Sequence, residues 1–162
     1  MSPVRPNDLV RVLQRAARDT KTSTGAIEVV LVAWEGDEAV AVSAGAQLSG
    51  ALDPKGVAEH LGGLVERGRV HELELELLGH LGIAHHGSAQ HLLAVRVPTE
   101  GDVQAWLCAL LDEVLPRTQA TLAACADLTG MATGVVEYAE RLALAEARYR
   151  TLVEELPAGV YY

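Results

Sequence analysis

The sequence predicts a small α/β sandwich, and three observations point to it. Between Pro6 and Pro116 the periodicities run in a fixed order: a basic amphipathic helix, an apolar hairpin, a Gly-rich helix opening on Asp-Pro, short strands, then a second long helix. Ala26 to Trp34 (AIEVVLVAW) is rich in β-branched residues and apolar nearly throughout, as expected of a strand covered on both faces. No catalytic constellation accompanies these elements, so the order reads as a domain built to pair with other proteins.

The 162 residues suffice for one domain with a real core and a terminal extension. Apolar residues make up 49% of the chain and Phe is absent, so Leu, Val and Ala must fill that core. No run approaches the roughly 18 uninterrupted apolar residues of a membrane span. The start, Met1 to Pro6, lacks the apolar stretch of a signal peptide, which makes the cytoplasm the expected location. Cys108 and Cys125 fall in segments that read as helical, and are expected to be reduced, small apolar residues rather than a disulfide pair.

The net charge of −9 is unevenly spread. Residues 1–21 hold Arg5, Arg11, Arg15, Arg18 and Lys21 against Asp8 and Asp19, a charge of +3. The other 8 basic and 20 acidic residues give the rest of the chain −12. An acidic body repels phosphate backbones, which argues against general nucleic-acid binding. The basic first helix is still suited to an acidic partner.

Taken in order, Asn7 is placed to cap a helix whose Leu9, Val12, Leu13, Ala16 and Ala17 follow helical spacing. Arg11, Arg15 and Arg18 share another face of it, either a solvated flank or a partner-binding stripe. Thr20 to Gly25 reads as a loop. The strand Ala26–Trp34 turns at Glu35-Gly36-Asp37-Glu38 into a return strand, Ala39–Ala44. Asp53 and Pro54 supply the N-cap and first position of the next helix, with Val57, Leu61, Leu64 and Val65 as its apolar stripe and Gly68 as its stop. Gly56, Gly62 and Gly63 each cost about 1 kcal/mol relative to Ala there. They suit either close approach of another backbone or simply a weak helix.

His71 to Leu78 (HELELELL) alternates Leu and Glu as a strand does, although Leu73, Leu77, Leu78 and Leu81 also fit a helical face. Glycines at 79, 82 and 87 favour the strand. A short strand near Ile83, a turn at Gly87-Ser88-Ala89 and a strand from His91 to Val97 follow. Gly101-Asp102 opens an expected helix carrying Val103, Trp106, Leu107, Leu110, Leu111 and Val114, which Pro116 ends or kinks. A further helix is expected from Arg117 to Leu128, punctuation at residues 129–134, and a last helix from Val135 to Leu156. Glu137–Arg141 and Glu146–Arg150 are favourable i, i+4 pairs on that last helix.

The hairpin AIEVVLVAWEGDEAVAVSA, the helix LDPKGVAEHLGGLVERG, the strands of HELELELLGHLGIAHHGSAQHLLAVRVP and the helix GDVQAWLCALLDEVL give an order that resembles the roadblock/dynein light chain superfamily. The match covers Asn7 to Thr118, and the layout is similar to bacterial stand-alone regulators of Ras-like GTPases in gliding motility. The resemblance implies a five-stranded antiparallel sheet in order 2-1-5-4-3, with the second helix on one face and the first and third on the other. It implies a roadblock-like domain over 1–118 and a C-terminal helical extension over 119–162. It also implies a homodimer built from the second helix and third strand, carried here by Gly62, Gly63, Leu64, Leu73, Leu75 and Leu77. The glutamates at 72, 74 and 76 depart from that picture, because an acidic row on an edge strand opposes pairing.

Chemistry of the chain's own is not expected. Neither a phosphate-binding Gly-x4-Gly-Lys-Ser/Thr loop nor a His-Glu-x2-His or Cys-x2-Cys metal motif occurs. His80, His85, His86 and His91 form the best metal candidate, but adjacent His85 and His86 point to opposite faces of a strand, so no metal or cofactor is expected. The resulting expectation is a homodimeric adaptor for a small Ras-like GTPase, not an enzyme, with Arg11, Arg15 and Arg18 as the partner-binding residues. Two other readings stay open: a sensory or ligand-binding sheet domain using the His-bearing strands, and a structural oligomerisation module built on the final helix.

Overall fold

A computed structural model describes residues 6–35, 38–45, 60–61, 69–79, 88–99 and 103–156. The chain forms a five-stranded antiparallel sheet with helices on both faces. Helix α1 (Pro6–Thr24) leads into β1 (Glu28–Glu35) and β2 (Glu38–Ala44). Then come β3 (Val70–Leu73), a 3-10 turn (Leu75–Gly79), β4 (His91–Val97), β5 (Gln104–Leu111) and the long α2 (Thr118–Glu155). The strand order is β2-β1-β5-β4-β3, the order expected.

The helix expected from Gly101 is in fact β5, and this is the largest departure from the sequence reading. Trp106, Leu107, Leu110 and Leu111 satisfy helical spacing, yet Ala105–Leu111 holds no polar residue and every one of its side chains is buried. A surface helix needs a polar side; a central strand does not. β5 lies between β1 and β4, with Leu31 opposite Leu107 and Val95 opposite Leu107 on the other flank. His91–Val97 is consequently the fourth strand rather than the fifth. The strand expected near Ile83 lies outside the described residues.

Alternation separates the buried residues into two layers. Val29, Leu31, Ala33, Val42, Leu93, Val95, Leu107 and Ala109 face one way and meet Leu13 and Ala17 of α1 and Leu122 and Ala126 of α2. Val30, Val32, Leu92, Ala94, Trp106, Cys108 and Leu110 face the other way and meet Leu61, Leu78 and Ala89. His60 and Leu61 are helical, and Leu61 packs on that second face. They are the part of the expected Asp53–Gly68 helix that falls within the described residues.

Local details follow from the residues. α1 starts at Pro6, so Asn7 lies inside its first turn rather than at the cap. It also runs through the expected loop to Thr24. Gly25, at φ 68°, then closes it by donating its N–H to the Lys21 carbonyl at 3.0 Å. Gln14 Nε2 donates to the Ser43 carbonyl at 2.8 Å and ties α1 to β2. The Leu-Glu alternation holds the strand only to Leu73. Beyond it the Leu77 N–H donates to the Glu74 carbonyl at 3.1 Å and the chain turns, which buries Leu78.

The expected break at residues 129–134 is absent, and a single helix of 38 residues runs through it. The hydroxyls of Thr129 and Thr133 donate to the carbonyls one turn back, of Cys125 at 2.7 Å and Thr129 at 2.8 Å, so these buried hydroxyls are satisfied within the helix, sharing carbonyls with its own N–H groups. Gly130 is required for close approach: a Cβ there would overlap the carbonyl oxygen of Pro98. The division expected at residue 118 falls on the first residue of α2. Its early turns bury Leu122, Ala126, Thr129, Gly130 and Thr133, and from Gly134 onward α2 contributes no buried residue.

Two glycine substitutions test this arrangement. Gly134→Ala meets nothing within 4 Å and should stabilise the fold by up to about 1 kcal/mol through helix propensity. Gly130→Ala should lower stability despite the same propensity gain. Denaturant unfolding of the two variants measures both signs.

Candidate functional site

The face opposite α1 and α2 carries the most distinctive side-chain arrangement. On β1, period two places Trp34 on the side of Val30 and Val32; on β5 it places Trp106 with Cys108 and Leu110. Register sets Arg96 of β4 opposite Trp106. The Trp34 and Trp106 rings stack with centroids 4.1 Å apart and planes 5° from parallel. The Arg96 guanidinium carbon lies 5.4 Å from the Trp106 ring centroid. A cation and two indoles therefore run in a row across β4, β5 and β1.

Such a row contributes to packing: an aromatic pair adds about 0.5–1.5 kcal/mol beyond its area and an exposed cation–π contact about 0.5–1 kcal/mol. Its middle member is less settled. Trp106 is fully buried, and its Nε1–H has no hydrogen-bond acceptor among the described residues. A buried donor without an acceptor costs about 1–3 kcal/mol. Trp34 and Arg96 at its sides are only half-buried. The half-buried members, Trp34 and Arg96, suit stacking of a planar group and balancing of negative charge, while the Nε1–H can donate only to an acceptor that enters the buried layer. Glu28, also buried, shares this face opposite Leu110.

Cys108 lies on the same face, on a strand rather than mid-helix. Burial pushes its thiol up to about 12, so it is neutral and a poor nucleophile at ordinary pH. Cys125 is half-buried on α2 and lines a groove of about 440 Å³ between α1 and α2, with Val12, Ala16, Leu128 and Ala132.

The residues singled out from sequence fall in several places. Arg11, Arg15 and Arg18 are exposed on α1, and Arg15 approaches Asp19 at 4.0 Å in a solvent-screened pair. Leu73, Leu75 and Leu77 are half-buried, packed against the Trp106 face. Leu75 and Leu77 sit in the 3-10 turn rather than on a strand. Gly62, Gly63 and Leu64 lie outside the described residues, as do His80, His85 and His86. His91 Nδ1 stands 2.6 Å from Glu72 Oε1. Among the described residues, no group of three or more His, Cys, Asp or Glu side chains can hold a metal ion. The tryptophan row escapes a sequence reading that puts Trp106 on a helix, since only strand pairing brings it beside Trp34.

No family model and no curated protein sequence matches the chain. Among solved structures, it is similar to the GAF domain of Acinetobacter phosphoenolpyruvate-protein phosphotransferase, with 13% identity over 85% of this chain and 97% of that one and a TM-score of 0.45. Among the described residues no helix is long and apolar enough to cross a membrane.

The two thiols should separate cleanly. A thiol reagent added to the native protein modifies Cys125, and Cys108 reacts only after denaturation. Because folding holds the Cys108 proton that the unfolded chain releases from pH 9.0 upward, its contribution to stability is complete below that pH and declines toward about 12. Denaturation midpoints between pH 9 and 11 should therefore fall more steeply for the native sequence than for Cys108→Ala.

Proposed function

We propose that this chain is a sensory sheet domain that binds a small, planar, acceptor-bearing anion beside Trp34, Trp106 and Arg96. One observation carries the reading: the fully buried indole of Trp106, its ring between a half-buried aromatic ring and a guanidinium, has an N–H without an acceptor among the described residues. A ligand acceptor would satisfy the donor, its ring would stack on Trp34, and Arg96 would offset its charge. This moves the ligand-binding alternative from the histidine-bearing strands to the tryptophan row. The sheet then connects the site to α1 and α2, which pack on its opposite face.

The chain's two tryptophans are both in this row, so intrinsic fluorescence reports on it directly. Titration with purine mononucleotides, flavin mononucleotide and aromatic carboxylates should give a saturable change and a rise in melting temperature with at least one of them. Trp34→Ala and Arg96→Gln should each weaken that binding about tenfold, the loss expected for a stacking or charge contact of roughly 1–2 kcal/mol. Saturable binding that both variants retain in full would remove the site.

A second reading is a roadblock-like regulator of a small Ras-like GTPase, favoured by the strand order 2-1-5-4-3 together with the exposed basic stripe of α1. Its outcome differs: GTP hydrolysis or nucleotide exchange by such a GTPase changes on adding this protein, and Arg11→Glu with Arg15→Glu abolishes the change.

A further inference from the structure

The C-terminal part of α2 holds a continuous apolar seam. Leu128, Met131, Val135, Tyr138, Leu142, Ala145, Tyr149 and Leu152 alternate spacings of three and four without a break, and Leu156 continues the spacing at the C-cap. All are exposed; the large ones show 44% to 70% of their surface to solvent. The stripe that α2 buries against its own core is a different one, ending at Thr133. A strict three-four spacing over about three and a half heptads is the seam of a two-stranded coil, about 36 Å long from Leu128 to Leu152 at 1.5 Å per residue. A solvated helix this long, rich in exposed Leu and Tyr, gains little stability alone.

We propose that this seam pairs with the same seam of a second copy of the chain, as a parallel, in-register coiled coil. The flanking charges select that occupant and that direction. With Leu128, Val135, Leu142 and Tyr149 at the a positions, Arg141 is at g and Glu146 at e. In a parallel, in-register pair each g residue faces the e residue five positions on in the other helix, so Arg141 of each copy meets Glu146 of the other. The antiparallel registers that stack a on d layers near the middle of the seam instead set Arg141 against Arg141 or Arg148. Like charges there oppose the arrangement. Ala145, a small residue at d, lets the two backbones approach near the middle of the seam. This contact is separate from the one that the roadblock resemblance implies through residues 62–77, and it does not depend on the ligand reading.

The test uses the full chain in sedimentation equilibrium and light scattering. The native protein should be a dimer whose dissociation is measurable on dilution. Leu142→Asp with Leu152→Asp should make it a monomer, with the core still cooperatively folded because both residues are exposed in the protomer. Arg141→Glu alone should weaken the dimer about tenfold, since two symmetric pairs become repulsive, and Arg141→Glu with Glu146→Arg should restore it. Ala145→Cys, in a Cys125→Ser background, should cross-link two copies through residue 145 on mild oxidation. A native protein that stays monomeric at every concentration, or a dimer that survives Leu142→Asp with Leu152→Asp, overturns the proposal. A dimer that Arg141→Glu strengthens, or that Ala145→Cys fails to cross-link, overturns the parallel direction.

Discussion

The fold depends on two strands, β1 and β5, that are apolar on both sides and lie side by side in the middle of the sheet. A sheet of this kind cannot leave either face in water, because each exposed Val or Leu would forfeit about 1.5–3 kcal/mol. Cover on both faces is therefore a condition of folding rather than an ornament. α1 and the early turns of α2 meet it on one side. Leu61 and Leu78 contribute to it on the other. With no Phe in the chain, the packing is almost wholly aliphatic, and the two tryptophans are gathered at one place on one face.

Much of this was legible in the sequence, and the parts that were not share a cause. The β1–β2 hairpin could be read from its β-branched run and its turn, and α1 from its apolar spacing. β5 was misread because AWLCALL meets the helical rule by coincidence: a segment that is apolar everywhere satisfies every period. The missing polar side was the available signal. α2 was misread in the opposite direction, since Gly130, Thr129 and Thr133 look like a break. Only the position of Pro98 explains the glycine, and no local pattern reveals a neighbour 32 positions away in the chain.

The candidate site was less legible than the fold for the same reason. Trp34 and Trp106 are 72 residues apart, and their contact exists only once β5 is placed beside β1. Arg96 joins them through the β4–β5 register, and the two-residue period of β5 puts Cys108 on the same side. The arginines of α1 could be seen at once, because a single helix sets their spacing.

The meeting of Gly130 with Pro98 has a mechanical meaning. It sets α2 backbone directly against the carbonyl and ring of Pro98, just past the end of β4. The 25 residues from there to Glu155 form an arm of about 38 Å, so one degree of tilt at this fulcrum swings the tip by about 0.7 Å. Arg96 is two residues from the fulcrum. Any tilt of α2 about this contact is largest at Glu155, whatever starts it.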